Sequence, residues 1–283
     1  MNILIIGFGK IGQIRHNICL KSNLVKQIYI YDPNFKKKLV FGSKTKKINN
    51  LSDLKKLEIK AAFVCSPTYL STSFCKFLIK KDIHVFCEKP PSINVKNLIN
   101  LKRTLKVKKK INLMYGFNHR HHESIQKIHQ IIKEKKYGNI LWIRGRYGKP
   151  VDDNYISGWR GNYKYSGGGI LIDQGIHLLD ILILFLGKIS EIKSILSNNY
   201  IKKKIEDNAF VIFKNTKNQT ASLHSTLTQW RHLFSLEIFL QKGYIVLNGL
   251  KTPSNSYGDE ILSYCKNIKR PPKIKWSKIK TKK

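Results

Sequence analysis

Asp173, His177 and Asp180 stand at i, i+4 and i+7 in the run Gly167-Gly168-Gly169-Ile170-Leu171-Ile172-Asp173-Gln174-Gly175-Ile176-His177-Leu178-Leu179-Asp180. Helical spacing puts the three on one face. The remaining positions are nearly all apolar, which predicts a buried helix whose charged groups must be paired or line a cavity. A carboxylate and an imidazole one turn apart can address the same small ligand, the imidazole exchanging a proton near neutral pH. A buried structural Asp–His couple, satisfied by backbone, has the same spacing. No third ligand accompanies the pair at a metal-binding spacing, so no metal is expected.

Two further segments carry chemistry. Gly7-Phe8-Gly9-Lys10-Ile11-Gly12 lies between an apolar strand and a helix marked by Ile11, Ile14 and Ile18. The first glycine of such a motif makes the turn, the second lets backbone approach a pyrophosphate at the helix N-terminus, and the third allows close helix–strand packing. Asp32 follows twenty residues past Gly12 at the end of the second strand, where a carboxylate accepts from the ribose diol of NAD; before Pro33 it also reads as a turn residue. Nearby Lys36 is the residue that would favour NADP. His84-Val85-Phe86-Cys87-Glu88-Lys89-Pro90-Pro91 ends another strand. Ligands of open α/β sheets bind beyond the carboxyl ends of the strands, so Lys89 is a candidate for the nicotinamide end of the cofactor, or else one surface lysine among many. Pro90 restricts Lys89 to extended backbone. Ser66-Pro67 is placed in the same way after its own strand.

The elements that must position these residues alternate. Ile3 to Ile6, Ile28 to Tyr31, Ala61 to Cys65, Ile83 to Cys87 and Leu113 to Tyr115 are short, apolar and rich in branched or aromatic residues, as buried parallel strands are. Helical spacing separates them, clearest at Ile93 to Lys108 with Ser92 as cap. The expected N-terminal part is a Rossmann doubly wound parallel sheet over 1–118. Beyond Asn118 the texture changes. A helix from about Glu123 to Lys135 with Gly138 as stop, strands around 140–146, 209–213, 220–228 and 234–240, and an apolar helix at 171–186 predict an α+β domain over 119–283. Its sheet is expected to be open and mainly antiparallel.

Composition bounds the rest. The 283 residues are 42% hydrophobic and 11% aromatic, enough for a real core. The most apolar stretch, Ile176 to Leu186, is short and interrupted by Asp180, so no membrane span is expected. The opening residues lack a basic leader, and the five cysteines form no metal or redox spacing, which together predict a cytoplasmic protein with buried thiols. The formal charge of +36 would by itself point to nucleic acid. Of the 53 basic residues, however, eight are Arg and 45 are Lys. Arg is the residue of bidentate phosphate and guanine contacts, so its scarcity argues against specific nucleic-acid recognition. The basic stretch 269–283 is expected to be loose.

These motifs, together with Gly116-Phe117-Asn118, Arg120 and Trp159-Arg160, recur in the order of the Gfo/Idh/MocA oxidoreductases, and over roughly residues 1 to 250 the chain resembles that family. The resemblance implies hydride transfer between NAD, with NADP as the alternative, and a hydroxyl or keto carbon of a sugar, cyclitol or nucleotide sugar. It implies cofactor contacts from Gly7, Phe8, Gly9, Lys10, Ile11, Gly12, Asp32, Ser66, Pro67, Glu88 and Lys89, and substrate contacts from Asn118, Trp159, Arg160, Asp173 and His177. Lys89 would touch both substrate hydroxyl and nicotinamide ribose, His177 exchange the hydroxyl proton, and Asp173 position the substrate. A homodimer or homotetramer, formed through the open sheet, is implied as well. Two alternatives share the fold: an NAD-dependent glycosidase using transient oxidation, and a non-catalytic NAD-binding regulator. The chain departs from the family in having Thr68-Tyr69-Leu70-Ser71 where many relatives place a histidine after Ser/Thr-Pro, and in stopping before the C-terminal helices of longer relatives.

Overall fold

The computed structural model describes residues 1–34, 41–267 and 277–280; Lys36 and most of the stretch 269–283 lie outside them. Two compact units result, residues 1–116 with 164–167, and residues 117–163 with 168–283.

The first unit is built from β1 (Asn2–Ile6), α1 (Lys10–Lys21), β2 (Gln27–Tyr31), β3 (Thr45–Lys47), β4 (Ile59–Val64), α2 (Thr68–Lys80), β5 (His84–Cys87), α3 (Val95–Val107) and β6 (Leu113–Tyr115). The strands form one parallel sheet in the order β3-β2-β1-β4-β5-β6. Alternation of side chains along each strand creates a core on both faces. Ile3, Ile5, Ile28 and Ile30 pack with Phe8 and Cys19. Leu4, Ile6, Val64, Val85 and Cys87 pack with Cys75, Leu78, Ile79 and Leu101 from α2 and α3. This is the doubly wound arrangement, with the loops that follow β1, β4 and β5 at one edge of the sheet. β3, the sequence Thr-Lys-Lys, has no apolar run by which it could be recognised.

Two local expectations are corrected. Ile11, Ile14 and Ile18 do not mark the buried face of α1; they are 42%, 38% and 54% exposed, and Gly12, His16 and Cys19 face the sheet instead. The close approach made through Gly12 sets that rotation. The cap of α3 is Asn94, whose Oδ1 accepts from the Asn97 N–H at 2.9 Å, and not Ser92, which accepts from the Thr72 hydroxyl.

The second unit comprises α4 (Glu123–Glu134), β7 (Ile140–Pro150), α5 (Asp153–Ser157), the first residue of α6 (Tyr163–Ser166), whose other residues belong to the first unit, a π-helical turn at Leu171–Gly175, α7 (Ile176–Leu186) and seven more strands. These are β8 (Ile189–Ser197), β9 (Asn208–Asn215), β10 (Thr220–Thr226), β11 (Thr228–Leu240), β12 (Gly243–Asn248), β13 (Ile261–Lys266) and β14 (Ser277–Lys280). The eight strands run in the order β14-β13-β12-β11-β7-β10-β9-β8, all neighbours antiparallel except β7 and β10. One face is covered by Ile125, Ile128 and Ile131 of α4 and by Leu178, Ile181, Leu182 and Phe185 of α7. On the other face Ile195, Phe210, Ile212 and Trp142 are exposed. α4 ends before Gly138, at Lys135 in the left-handed conformation with φ 55°, a role the sequence pattern assigned to the glycine.

The 24-residue segment Tyr163–Leu186, in which Gly167 with φ 80° parts α6 from the helical turns that follow, is long and apolar enough to cross a membrane by length and composition alone. Its α7 portion supplies the core of the second unit, and Asp180, which seemed to interrupt it, is paired with Arg120.

Candidate active site

In the first unit the glycine loop joins β1 to α1. Gly7 has φ 88°, a left-handed backbone that favours glycine. A Cβ on Gly12 would overlap the Gly7 carbonyl oxygen, so the first turn of α1 closes directly on the loop. Gly9 differs: a Cβ there would meet nothing within 4 Å. The open space lies beside the N-terminus of α1, which suits an approaching pyrophosphate. Phe8 is buried against His16 and Phe41, so only its backbone is available to a ligand. Lys10 and Ile11 are exposed in the first turn of the helix.

Asp32 follows β2, and its carboxylate accepts from Phe8 N–H at 2.7 Å and Asn34 N–H at 2.9 Å. The first bond ties it to the glycine loop and the second to its own turn, and together they leave each oxygen lone-pair capacity for a ribose hydroxyl. The other edge loops are also fixed. Glu88 accepts from Arg15 Nε and Nη2 at 2.8 and 2.6 Å, with the guanidinium 4.9 Å over the Phe86 ring. This pair anchors α1 to the start of Glu88-Lys89-Pro90, whose Lys89–Pro90 peptide is cis. Ser71 donates to the carbonyls of Ser66 and Pro67, and the Tyr69 ring packs against Tyr165 with centroids 4.8 Å apart and planes tilted by 46°. Among the cysteines Cys65 is half-buried and its thiol is pushed up to about 12, first by burial and then by Glu88.

In the second unit the three helix residues separate into different environments. The π turn interrupts regular α spacing at Asp173, as such turns often do near functional groups. Asp173 Oδ1 accepts from Arg160 Nε at 3.3 Å, and Lys149 Nζ stands 3.7 Å from Oδ2. The Arg160 guanidinium lies 4.4 Å over the Trp159 ring. Asp180 instead receives Arg120 through both oxygens, at 2.5 and 2.6 Å, which makes it a structural tie between α7 and the turn at Asn118–His121. The helix N-terminus is satisfied by Glu206, which accepts from Gly169 and Leu171 N–H groups.

His177 is 6% exposed and stacks on His119, which is 4% exposed, with ring centroids 4.1 Å apart. His119 bonds Asn118 Oδ1 and the Tyr147 hydroxyl, each at 3.2 Å. Burial raises the Tyr147 phenol, so it stays neutral; Tyr257 is pushed up to about 12, chiefly by burial, and its hydroxyl accepts from Gln174 Nε2. The structure therefore brings Trp159, Arg160 and Asp173 together, and Asn118 to His177 through His119. The sequence pattern missed His119, Tyr147, Lys149 and Tyr155, which lie far from the helix in the chain. Among the described residues no cluster of metal-ligating side chains occurs.

Residues 1–117 match the oxidoreductase family with an NAD-binding Rossmann fold, and residues 125–246 match the GFO/IDH/MocA C-terminal domain. The chain belongs to the Gfo/Idh/MocA oxidoreductase family. It is similar to the uncharacterized oxidoreductase YrbE of Bacillus subtilis, 26% identical over 199 residues, which are 65% of this chain and 53% of that protein. It is also similar to myo-inositol 2-dehydrogenase of Thermotoga maritima, 24% identical over 251 residues, 76% of this chain and 72% of that one. The structure of levoglucosan dehydrogenase in complex with NADH has the same fold, with TM-score 0.83 and 18% identity over 99% of this chain and 80% of that one. The chain thus spans about half the length of YrbE, and 39% of the D-glucoside 3-dehydrogenase of Escherichia coli.

Proposed function

We propose that this protein is an NAD-dependent dehydrogenase or reductase acting on a hydroxyl or keto carbon of a carbohydrate, cyclitol or nucleotide sugar. The observation that carries the reading is the buried imidazole of His177 one turn beyond the ion-paired carboxylate of Asp173 on a single apolar helix. The glycine cradle suits the dinucleotide, because Gly9 leaves room that a side chain would fill and Asp32 is fixed beside it. Bound there, NAD supplies the hydride acceptor for oxidation, and NADH the donor for reduction.

The chain's own residues do the rest. Backbone N–H groups of the first turn of α1 would hold the pyrophosphate, and Asp32 would accept from the ribose diol. His177 takes the substrate hydroxyl proton during oxidation and returns it during reduction. The Lys89 ammonium stabilises negative charge on that oxygen. Asp173 accepts from a neighbouring hydroxyl and orients the ring. Asn118, Trp159 and Arg160 complete the substrate side. We infer that the protein works in the cytoplasm and that its exposed outer sheet face, with Ile195, Phe210 and Ile212, pairs copies of the chain in a dimer or tetramer.

Purified protein mixed with NAD and a panel of hexoses, cyclitols, uronates and sugar phosphates tests the reading by accumulation of NADH. Sustained NADH formation with one carbohydrate is expected. Sugar release from a glycoside without net NADH would support the glycosidase instead, and NAD binding without chemistry on any member of the panel would overturn the enzyme.

A further inference from the structure

The cluster around Asp173 in the second unit is rich in donors and poor in acceptors. The Lys149 side chain is 27% exposed, and its ammonium, 3.7 Å from Asp173 Oδ2, lies beyond hydrogen-bond distance of it; its other contact is the face of the Tyr155 ring at 5.0 Å. Arg160 uses Nε on Asp173, and among the described residues its Nη1 and Nη2 have no hydrogen-bond partner. Tyr155 is 7% exposed, yet among the described residues its hydroxyl has no hydrogen-bond partner. The Lys149 ammonium over its ring sets Tyr155 beside this cluster, and burial first, then the charge of Asp173, raises its phenol. Two full positive charges face one carboxylate. The other nearby acid, Glu206, is spent on the N–H groups of Gly169 and Leu171.

A buried hydroxyl without a partner costs free energy, and the Tyr155 hydroxyl is such a group. Lys149 and Arg160, with side chains 27% and 46% exposed, keep donors that water or a ligand can reach. A neutral sugar hydroxyl brings one donor with each acceptor and leaves the extra charge unmet. A carboxylate or phosphate brings only acceptors and the missing charge, and it suits a guanidinium with two open amino groups.

We propose that Lys149, Arg160 and Tyr155 form a specificity site for an anionic group on the substrate, so that the preferred carbohydrate is a sugar acid or a sugar phosphate rather than a neutral sugar. This rests on the carbohydrate dehydrogenase reading, but its primary test does not depend on turnover. Lys149 and Tyr155 bind the anion, Arg160 is shared between it and Asp173, and none of them exchanges the reacting proton.

The test is calorimetric titration of the NAD-loaded protein with glucose, glucuronate, glucose 6-phosphate and inorganic phosphate, repeated with Lys149→Met and Tyr155→Phe. At least one anionic sugar is expected to bind ten times more tightly than glucose or better. Lys149→Met should remove about tenfold to a hundredfold of that affinity, the scale of one charge-assisted contact, and change glucose affinity far less. Tyr155→Phe keeps the ring under Lys149 and should cost several-fold. The two anionic sugars tell a carboxylate site from a phosphate site. Equal affinity for glucose and both anionic sugars, no binding of any anion at millimolar concentration, or unchanged anion affinity in Lys149→Met would overturn the proposal. Lys149-dependent anion binding without NADH formation would instead sink the dehydrogenase reading and leave the anion site standing.

Discussion

The imidazole of His119 lies on that of His177, centroids 4.1 Å apart and planes 20° from parallel, although 58 positions separate them in the chain. Both rings are buried, and His119 is in turn fixed by Asn118 and Tyr147. The stack holds the His177 ring plane from one side, so the orientation of the proposed proton-exchanging group is set by a residue outside its own helix.

His177→Ala should lower turnover by roughly 10² to 10⁴-fold with little change in NAD affinity. His119→Phe retains a stacking ring but loses both hydrogen bonds, and a several-fold fall in turnover with the protein still folded is expected. Steady-state kinetics with thermal melts decide the matter. Full activity in His177→Ala would remove the imidazole from the mechanism, and unfolding of both variants would make the stack structural.

The glycines of the loop should separate by substitution. Gly12→Ala places a methyl on the Gly7 carbonyl and should destabilise the first unit by about 1–3 kcal/mol, the usual cost of overpacking. Gly9→Ala meets no protein atom and should melt like the parent while binding NAD at least tenfold more weakly. Melting curves and fluorescence titration with NADH measure the two effects. Normal NADH affinity in Gly9→Ala would mean the cofactor does not approach there.

Asp32 should set the cofactor preference. Its carboxylate accepts from a ribose diol and repels a 2′-phosphate, so NAD should bind more tightly than NADP. Asp32→Asn retains an acceptor for the Phe8 N–H, which protects the loop, and should narrow the preference by about tenfold. Paired dissociation constants for both cofactors are the measurement; tighter NADP binding by the parent protein contradicts the assignment.

Glu260 links the C-terminal strands to the start of α4 and should govern acid stability. Burial by itself would raise its carboxyl. Hydrogen bonds from His122 at 2.7 Å, from the Ser124 hydroxyl and from the Lys251 N–H outweigh that and hold it at about 2. A folded value below the ordinary 4.5 means the stabilisation is complete above that pH and is lost as pH falls toward 2. Urea denaturation at stepped pH should show a loss on the order of 2–3 kcal/mol across this window, and Glu260→Gln should flatten it. Identical pH slopes for parent and variant would show that the carboxylate is not the linked group.

Local pattern made much of this protein legible. Apolar runs of three to five residues, alternating for the most part with helical spacing, point to a parallel sheet, whose strands are buried on both faces. Gly7, Gly9, Gly12 and Asp32 could be singled out because the loop they build depends on backbone within one β-α-β unit. Helical spacing likewise singled out Asp173 and His177. The tertiary structure decided what those side chains meet. It turned α1 so that Ile11, Ile14 and Ile18 face outward, gave Asp180 to Arg120, set Lys149 and Arg160 against Asp173, and laid His119 on His177. None of these partners has a fixed spacing from the residue it serves, since each comes from another strand, turn or loop. Their selection depends on how the elements pack, and that is a property of the folded chain as a whole.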